Sequence, residues 1–285
     1  MDGKLSVVMP AYNESKFIVS NIIETVETLT AFGYDFEIIV VDDGSPDATH
    51  LAAAVAKSKA PEVVRVVRYD QNRGKGHALL CGVSYARGDV VAFLDADMDL
   101  HPRQLPVLLG VMQAQSADAV VGSKLHPASV VNYPRIRRVV SYGYYLLVRL
   151  LFGLPVRDTQ TGIKLFKRAV LERVAALSRS EKFAFDVELL CLVHMFGYRV
   201  VDAPITLTFQ RRFGRIRMRD VVAIFGETMR IFVRLRLFAP VVKSVLGIGV
   251  RSRLSGTEVG EPPHAVRTVR HDESGATEGR ALVSR

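Results

Sequence analysis

Two hydrophobic periods alternate along the first 125 residues. Leu5–Met9, Phe36–Val41, Val63–Val67, Val90–Leu94 and Ala119–Gly122 are short apolar runs rich in Val and Ile. Runs of this kind predict strands buried on both faces, as in a parallel sheet. Between them, Lys16–Ala31, Ala48–Lys57, His77–Ala86 and Gln104–Gln113 carry apolar residues at helical spacing. Ser15 and Asp47 fit N-caps, and Gly33 fits a helix-ending glycine. Strands alternating with helices predict βαβ units and a doubly wound α/β sheet. Ligands of such sheets bind at the carboxyl ends of the strands, which directs attention to the residues that follow each one.

Beyond residue 125 the pattern changes. Asn132–Arg157 reads as a basic and apolar helix, Gly162–Phe166 and Val200–Thr208 as strands, and Phe185–Phe196 as a helix. Arg219–Leu237 is helical and strongly basic. From Arg251 to Arg285 the composition is that of a disordered tail. The expected organisation is a domain over 1–213, divided near residue 125, then a basic amphipathic segment over 214–250, then the tail. No uncharged apolar run reaches 18 residues, so no spanning helix is expected. The first residues do not read as a signal peptide.

Composition narrows the class. Of 285 residues, 49% are hydrophobic and 24% charged, which fits a globular protein and excludes fibrous or wholly disordered ones. Two cysteines, Cys81 and Cys191, exclude a disulfide scaffold and read as buried thiols. A net charge of +9 favours anionic partners such as phosphates, acidic lipid or nucleic acid.

The strand ends carry the chemistry. The first runs into Pro10-Ala11-Tyr12-Asn13-Glu14 and the second into Asp42-Asp43-Gly44-Ser45. Asn72-Arg73-Gly74-Lys75-Gly76 follows the third, and Asp95-Ala96-Asp97-Met98-Asp99 the fourth. Alone, an Asp-Gly pair is usually a turn. Four such sets at one end of one sheet form a pattern. In these residues the chain resembles the family 2 glycosyltransferases of the GT-A fold. Gly122-Ser123-Lys124, Asp158–Phe166 and Phe185–Leu190 narrow the resemblance to the polyprenyl-phosphate branch, the dolichyl-phosphate glucosyl- and mannosyltransferases. It spans roughly Leu5 to Phe213.

The resemblance implies a nucleotide-sugar donor, a divalent Mg²⁺ or Mn²⁺ ion, and inversion at the transferred sugar. Asp95 and Asp97 flank one residue of extended chain and so share a side. The family uses the first toward ribose or metal and the second as a metal ligand. Asp99 stands where the family often has Gln and would be a third carboxylate. Pro10, Tyr12, Glu14, Asp42 and Asp43 are the candidates for holding base and ribose, with Lys75 near phosphate. The Gly74-Lys75-Gly76 turn lacks the spacing of a P-loop.

The acceptor half is basic. Arg137 and Ser141 are four residues apart, hence on one helix face. The resemblance places these two on the acceptor phosphate, with Lys124 and one of Arg211, Arg212 or Arg215. It implies catalytic roles for Asp95, Asp97, Lys124 and Arg137. A phosphate nucleophile is already ionised, so no general base is required. Asp158, Gln160, Asp186 and Glu188 are read as supporting, the last two organising the site or pairing with arginines. Tyr142, Tyr144, Tyr145, Leu146 and Leu147 could flank a lipid groove. Between Ile205 and Phe238, eight arginines stand against Asp220 and Glu227, the pattern of an amphipathic helix on anionic lipid.

The expected protein is thus a peripheral hexosyltransferase on the cytoplasmic membrane face. UDP-glucose is favoured over GDP-mannose as donor, and dolichyl or polyprenyl phosphate is the acceptor. A membrane-protein partner and a homo-oligomer both stay open. Two rivals remain: a family 2 enzyme with a saccharide or other soluble acceptor, and a basic nucleic-acid-binding protein. Against the second, the strand ends are acidic and no nucleic-acid module signature is present.

Overall fold

The computed structural model describes residues 3–131, 135–180, 184–207 and 218–246, except the side chains of 135–137, 218–222 and 238–246. Five apolar runs become β1 (Leu5–Ala11), β2 (Phe36–Asp43), β3 (Val64–Tyr69), β4 (Val90–Leu94) and β5 (Ala119–Ser123). The helices between them are α1 (Ile18–Ala31), α2 (Thr49–Lys59), α3 (Lys75–Tyr85) and α4 (Leu105–Ala114). Then follow β6 (Val130–Val131), α5 (Arg135–Phe152), β7 (Ile163–Lys167), α6 (Arg168–Ala175), α7 (Phe185–Met195), β8 (Val200–Pro204), β9 (Thr206–Leu207) and α8 (Met218–Leu246).

Seven strands form one sheet in the order β3-β2-β1-β4-β7-β5-β8, and β6 pairs with β9. All neighbours in the large sheet are parallel except β7, which runs antiparallel to both β4 and β5. Successive side chains on a strand face opposite ways, so each central strand feeds two cores. Val7, Met9, Ile38 and Val40 pack with Ile18, Ile22 and Leu29 of α1. Val8, Ile39 and Val41 pack with Leu79 of α3 and with Phe185 and Leu189 of α7. Full burial of each such side chain contributes about 1.5–3 kcal/mol. Double burial is why the central strands read as largely apolar runs rather than as strict alternation.

The connectivity leaves β1 in one direction toward β2 and β3, then crosses to β4 on the other side of β1. That reversal opens a crevice between the ends of β1 and β4. The chain divides into a unit of Met1–Val242 and one of Lys243–Arg285. Of the second, only the last turn of α8 is described. The tail expected over Arg251–Arg285 lies outside the described residues.

Helix starts depart from the sequence expectation. Ser15 and Asp47 are not N-caps: α1 begins after Phe17 and α2 after Ala48, neither with a side-chain cap. Asp47 instead accepts from the backbone and hydroxyl of Thr49 and from the amide of Ser15, tying two loops together. Burial opposes ionisation there, but those hydrogen bonds prevail and hold the Asp47 carboxyl down at about 2. Gly33 sits just past α1 at φ +69°, the left-handed position expected of it. α6 and β6 had no counterpart in the sequence reading.

Candidate active site

The ends of β1, β2 and β4 and the start of α3 enclose a cavity of about 310 Å³. Pro10, Tyr12, Glu14, Asp43, Lys75, Asp95 and Asp97 line it, so most of the predicted donor-site residues do meet. Two non-glycine residues beside it take left-handed backbone, Asn13 at φ 58° and Met98 at φ 60°. Asn tolerates that conformation; Met does so only where packing enforces it. Met98 is buried, which pins the loop carrying Asp95, Asp97 and Asp99.

Other loops hold this frame. Ser45 Oγ accepts from the Asn13 amide at 3.1 Å, and Thr49 Oγ1 from the Glu14 amide at 2.8 Å. Asn21, buried in α1, donates to the Ala96 carbonyl at 2.5 Å. Sequence reasoning passed over Asn21, although an amide side chain on the buried face shared with Ile18, Ile22 and Leu29 was a legible signal. His101 accepts from the Arg103 amide through Nδ1, so Nε2 carries the proton and donates to Glu24 at 2.6 Å.

The two acids after β2 have different situations. Asp43 lines the cavity, but its carboxylate accepts from Tyr69 at 2.6 Å, Asn72 at 3.0 Å, the Arg73 amide at 2.8 Å and the Gly74 amide at 2.9 Å. It therefore shapes the 72–74 turn, where Gly74 takes φ +99°. Burial and the bond to Asp43 raise the Tyr69 hydroxyl far above its ordinary value. Asp42 does not line the cavity. It is fully buried, accepts from the Ser45 amide at 3.1 Å, and has Arg68 3.6 Å away.

Lys75 opens α3 and contacts Asp95 at 2.5 Å. Burial opposes its charge, yet Asp95, Asp186 and Asp97 outweigh that and raise its pKa. Asp97 is pushed up to about 6 by burial first, then by Asp95 and Asp99. Carboxylates crowded in this way around Asp97 are a donor set that a hard divalent cation fits, since its charge relieves the repulsion. Asp95 and Asp97 would supply its protein oxygens. Asp99 donates its amide to Asp97 at 3.1 Å. A three-carboxylate site is not formed: among the described residues, no three potential ligands converge on one point.

A second cavity, about 510 Å³ and largely apolar, lies between α5, the 156–160 segment and α8. Lys124, Ser141, Tyr144, Tyr145, Leu147, Gln160 and Phe225 are among its walls. Lys124 is held by Asp158 at 2.9 Å and Thr161 at 3.2 Å. Burial works against the Asp158 anion, but Lys124 outweighs it and keeps that carboxyl low. Tyr144 meets Thr228 of α8 at 3.0 Å and, chiefly through burial, is raised to about 12. Arg137 lies on α5, with its side chain outside the described residues, as are Arg211, Arg212 and Arg215 altogether.

Asp186 and Glu188 are both buried but paired differently from each other. Glu188 accepts from Ser178, the amides of Arg179 and Ser180, and Arg234 of α8, so the expected arginine pairing holds there. Asp186 pairs with Lys164, not with an arginine, at 2.7 Å. Sequence reading missed Lys164 because a lysine in a short strand normally points to solvent.

Comparison with known proteins agrees with this geometry. Residues 6–175 match the family model described as glycosyl transferase family 2. Glycosyltransferase AglD of Haloferax volcanii is 32% identical over 85% of this chain and 39% of its own length. The dolichyl-phosphate beta-glucosyltransferase of Homo sapiens is 32% identical over 72% of this chain and 67% of its own length. The chain thus spans about two fifths of the first relative and two thirds of the second. Glucosyl-3-phosphoglycerate synthase from Mycobacterium tuberculosis, solved with Mn²⁺, UDP and phosphoglyceric acid, superposes at a TM-score of 0.60 with 22% identity, covering 82% of this chain and 78% of that one. The last likeness bears on the fold alone, the expected GT-A architecture.

Proposed function

We propose that this chain, which belongs to glycosyl transferase family 2, moves a hexose from a nucleoside diphosphate sugar to a polyprenyl phosphate, with UDP-glucose the favoured donor. The observation that carries this reading is the pairing of a carboxylate-lined cavity with a largely apolar one. The first holds Asp95, Asp97 and Lys75; the second holds Lys124 and Ser141 against α5 and α8. The 158–162 segment links them, since Asp158 and Thr161 hold Lys124 while Gly162 abuts Asp95. The human relative's name, a dolichyl-phosphate glucosyltransferase, supports the acceptor class and the sugar.

In this reading Tyr12 stacks on the base and Glu14 accepts from ribose or base. Lys75 meets the diphosphate. Bound Mg²⁺ or Mn²⁺ would supply Lewis-acid stabilisation of the charge growing on the departing diphosphate. Lys124, Arg137 and Ser141 hold the acceptor phosphate, whose oxygen needs no deprotonation. Asp158 fixes the Lys124 ammonium in position. The polyprenyl chain lies along the tyrosines and leucines of α5.

Membrane attachment belongs to the same proposal. Val139, Tyr142, Leu146 and Leu150 form an exposed stripe on α5, and Phe225, Val233 and Leu237 are exposed on α8 beside Arg230 and Arg236. Apolar side chains edged by arginine suit an anionic bilayer surface. No described helix is long and apolar enough to cross a membrane.

The test is transfer by purified protein from UDP-glucose or GDP-mannose, with Mn²⁺ or Mg²⁺, to dolichyl or undecaprenyl phosphate in detergent. Chelator-sensitive glycolipid formation from UDP-glucose is expected. Formation from GDP-mannose instead would change the donor. Sugar transfer only to water-soluble phosphate esters would overturn the polyprenyl acceptor.

A further inference from the structure

Lys164 is almost fully buried, with its side chain 1% exposed. It sits in β7 opposite Phe93 of β4 and Val121 of β5, in the middle of the sheet. A buried ammonium is expensive unless paired and hydrogen-bonded. Here it meets Asp186 of α7 at 2.7 Å and also donates to the carbonyl of Thr161. Neither Lys164 nor Asp186 lines either cavity, and the reaction proposed above uses neither.

The partner on Thr161 gives the arrangement its sense. Thr161 Oγ1 accepts from Lys124 at 3.2 Å, and Asp158 accepts from both the amide and the ammonium of Lys124. One residue further on, Gly162 backs onto Asp95: a Cβ built at 162 would fall 2.0 Å from Asp95 Oδ2. Residues 158–162 are therefore a strap with Lys124 at one end and Asp95 at the other. Lys164 grips that strap from the interior through the Thr161 carbonyl, and Asp186 neutralises the grip.

We infer that Lys164 is a positioning residue, whose buried contact with the Thr161 carbonyl holds the 158–162 strap so that Asp95 and Lys124 keep their places. The inference deepens the proposed function and rests on it for the roles of Asp95 and Lys124. Had the pair served stability alone, two apolar side chains of similar volume would do as well, as is often found for buried ion pairs.

The experiment compares wild type, Lys164→Met and the double variant Lys164→Met/Asp186→Leu. Melting temperature and Mn²⁺-dependent affinity for UDP, with GDP in parallel, are measured on each. The single variant leaves Asp186 buried and unpaired, so both quantities should fall. The double variant keeps the net charge and removes the unpaired acid. Its melting temperature is expected to return close to wild type while nucleotide affinity stays about tenfold weaker. Affinity recovering along with the melting temperature would overturn the inference. Wild type that binds nucleotide but transfers no sugar to polyprenyl phosphate would overturn the acceptor reading alone, because the affinity comparison still decides the role of Lys164.

Discussion

Gly162 lies against the carboxylate of Asp95 so closely that there is no room for a methyl group between them. A Cβ at 162 would stand 2.0 Å from Oδ2 and 2.4 Å from Cγ. Gly162 takes an ordinary negative φ, so steric access and not backbone conformation demands glycine there. Gly162→Ala should displace Asp95 and its contact with Lys75. We expect metal-dependent nucleotide affinity to fall by about tenfold or more, with far-ultraviolet circular dichroism unchanged. Calorimetric titration with UDP and Mn²⁺ measures it, and wild-type affinity would show that Asp95 has slack.

Asp97 sets a conflict between stability and chemistry. Its folded-state carboxyl, pushed up to about 6 from 3.8, binds protons more tightly than in the unfolded chain. Stability therefore declines as pH rises from about 4 through 6, the reverse of the usual carboxylate behaviour. Asp97→Asn removes that loss. In chelator above pH 7 the variant should be more stable than wild type by about 1–3 kcal/mol. Near pH 3.5 the difference should vanish. Sugar transfer should be abolished, and added Mn²⁺ should raise the melting temperature of wild type only. An equally pH-sensitive variant would mean that another group carries the titration.

The exposed stripe on α5 predicts how the protein meets its lipid. Leu146→Glu/Leu150→Glu places two charges on side chains that face solvent, so the fold should be indifferent. Sedimentation with anionic vesicles should drop about tenfold. Nucleotide affinity should not change. Undiminished vesicle binding would move the contact to α8.

Arg137 provides the sharpest check on the acceptor. Loss of a charge-assisted hydrogen bond costs about 1.5–3 kcal/mol. Arg137→Ala should therefore lower kcat/KM for polyprenyl phosphate roughly ten- to hundredfold, by transition-state arithmetic. Donor affinity should barely move. Arg137→Lys should recover only part, since a lysine lacks the planar fork. Equal loss on both substrates would indicate a structural role.

Most of the donor side was legible because it depends on chain order. Parallel βαβ units bring strand ends together in a fixed way, so Tyr12, Glu14, Asp95 and Asp97 could be assembled from their places after apolar runs. The sequence by itself determined the α/β class, the strand ends as the place of the site, and most of the acids that line it; the strand order that opens the crevice between β1 and β4 came from the tertiary structure. It also marked Lys124 and Ser141 for the acceptor side, and both line the apolar cavity. Only the tertiary structure could show that Asp43 is taken up by the 72–74 turn and that Asp42 faces away. The same holds for Glu188 pairing with Arg234 and Asp186 with Lys164. These contacts join residues far apart in sequence, and a carboxylate's role depends on which donors reach it. Periodicity fixes which face of an element is buried; it carries no information on which buried charge meets which, because that follows from the packing of strands and helices brought together by the whole fold.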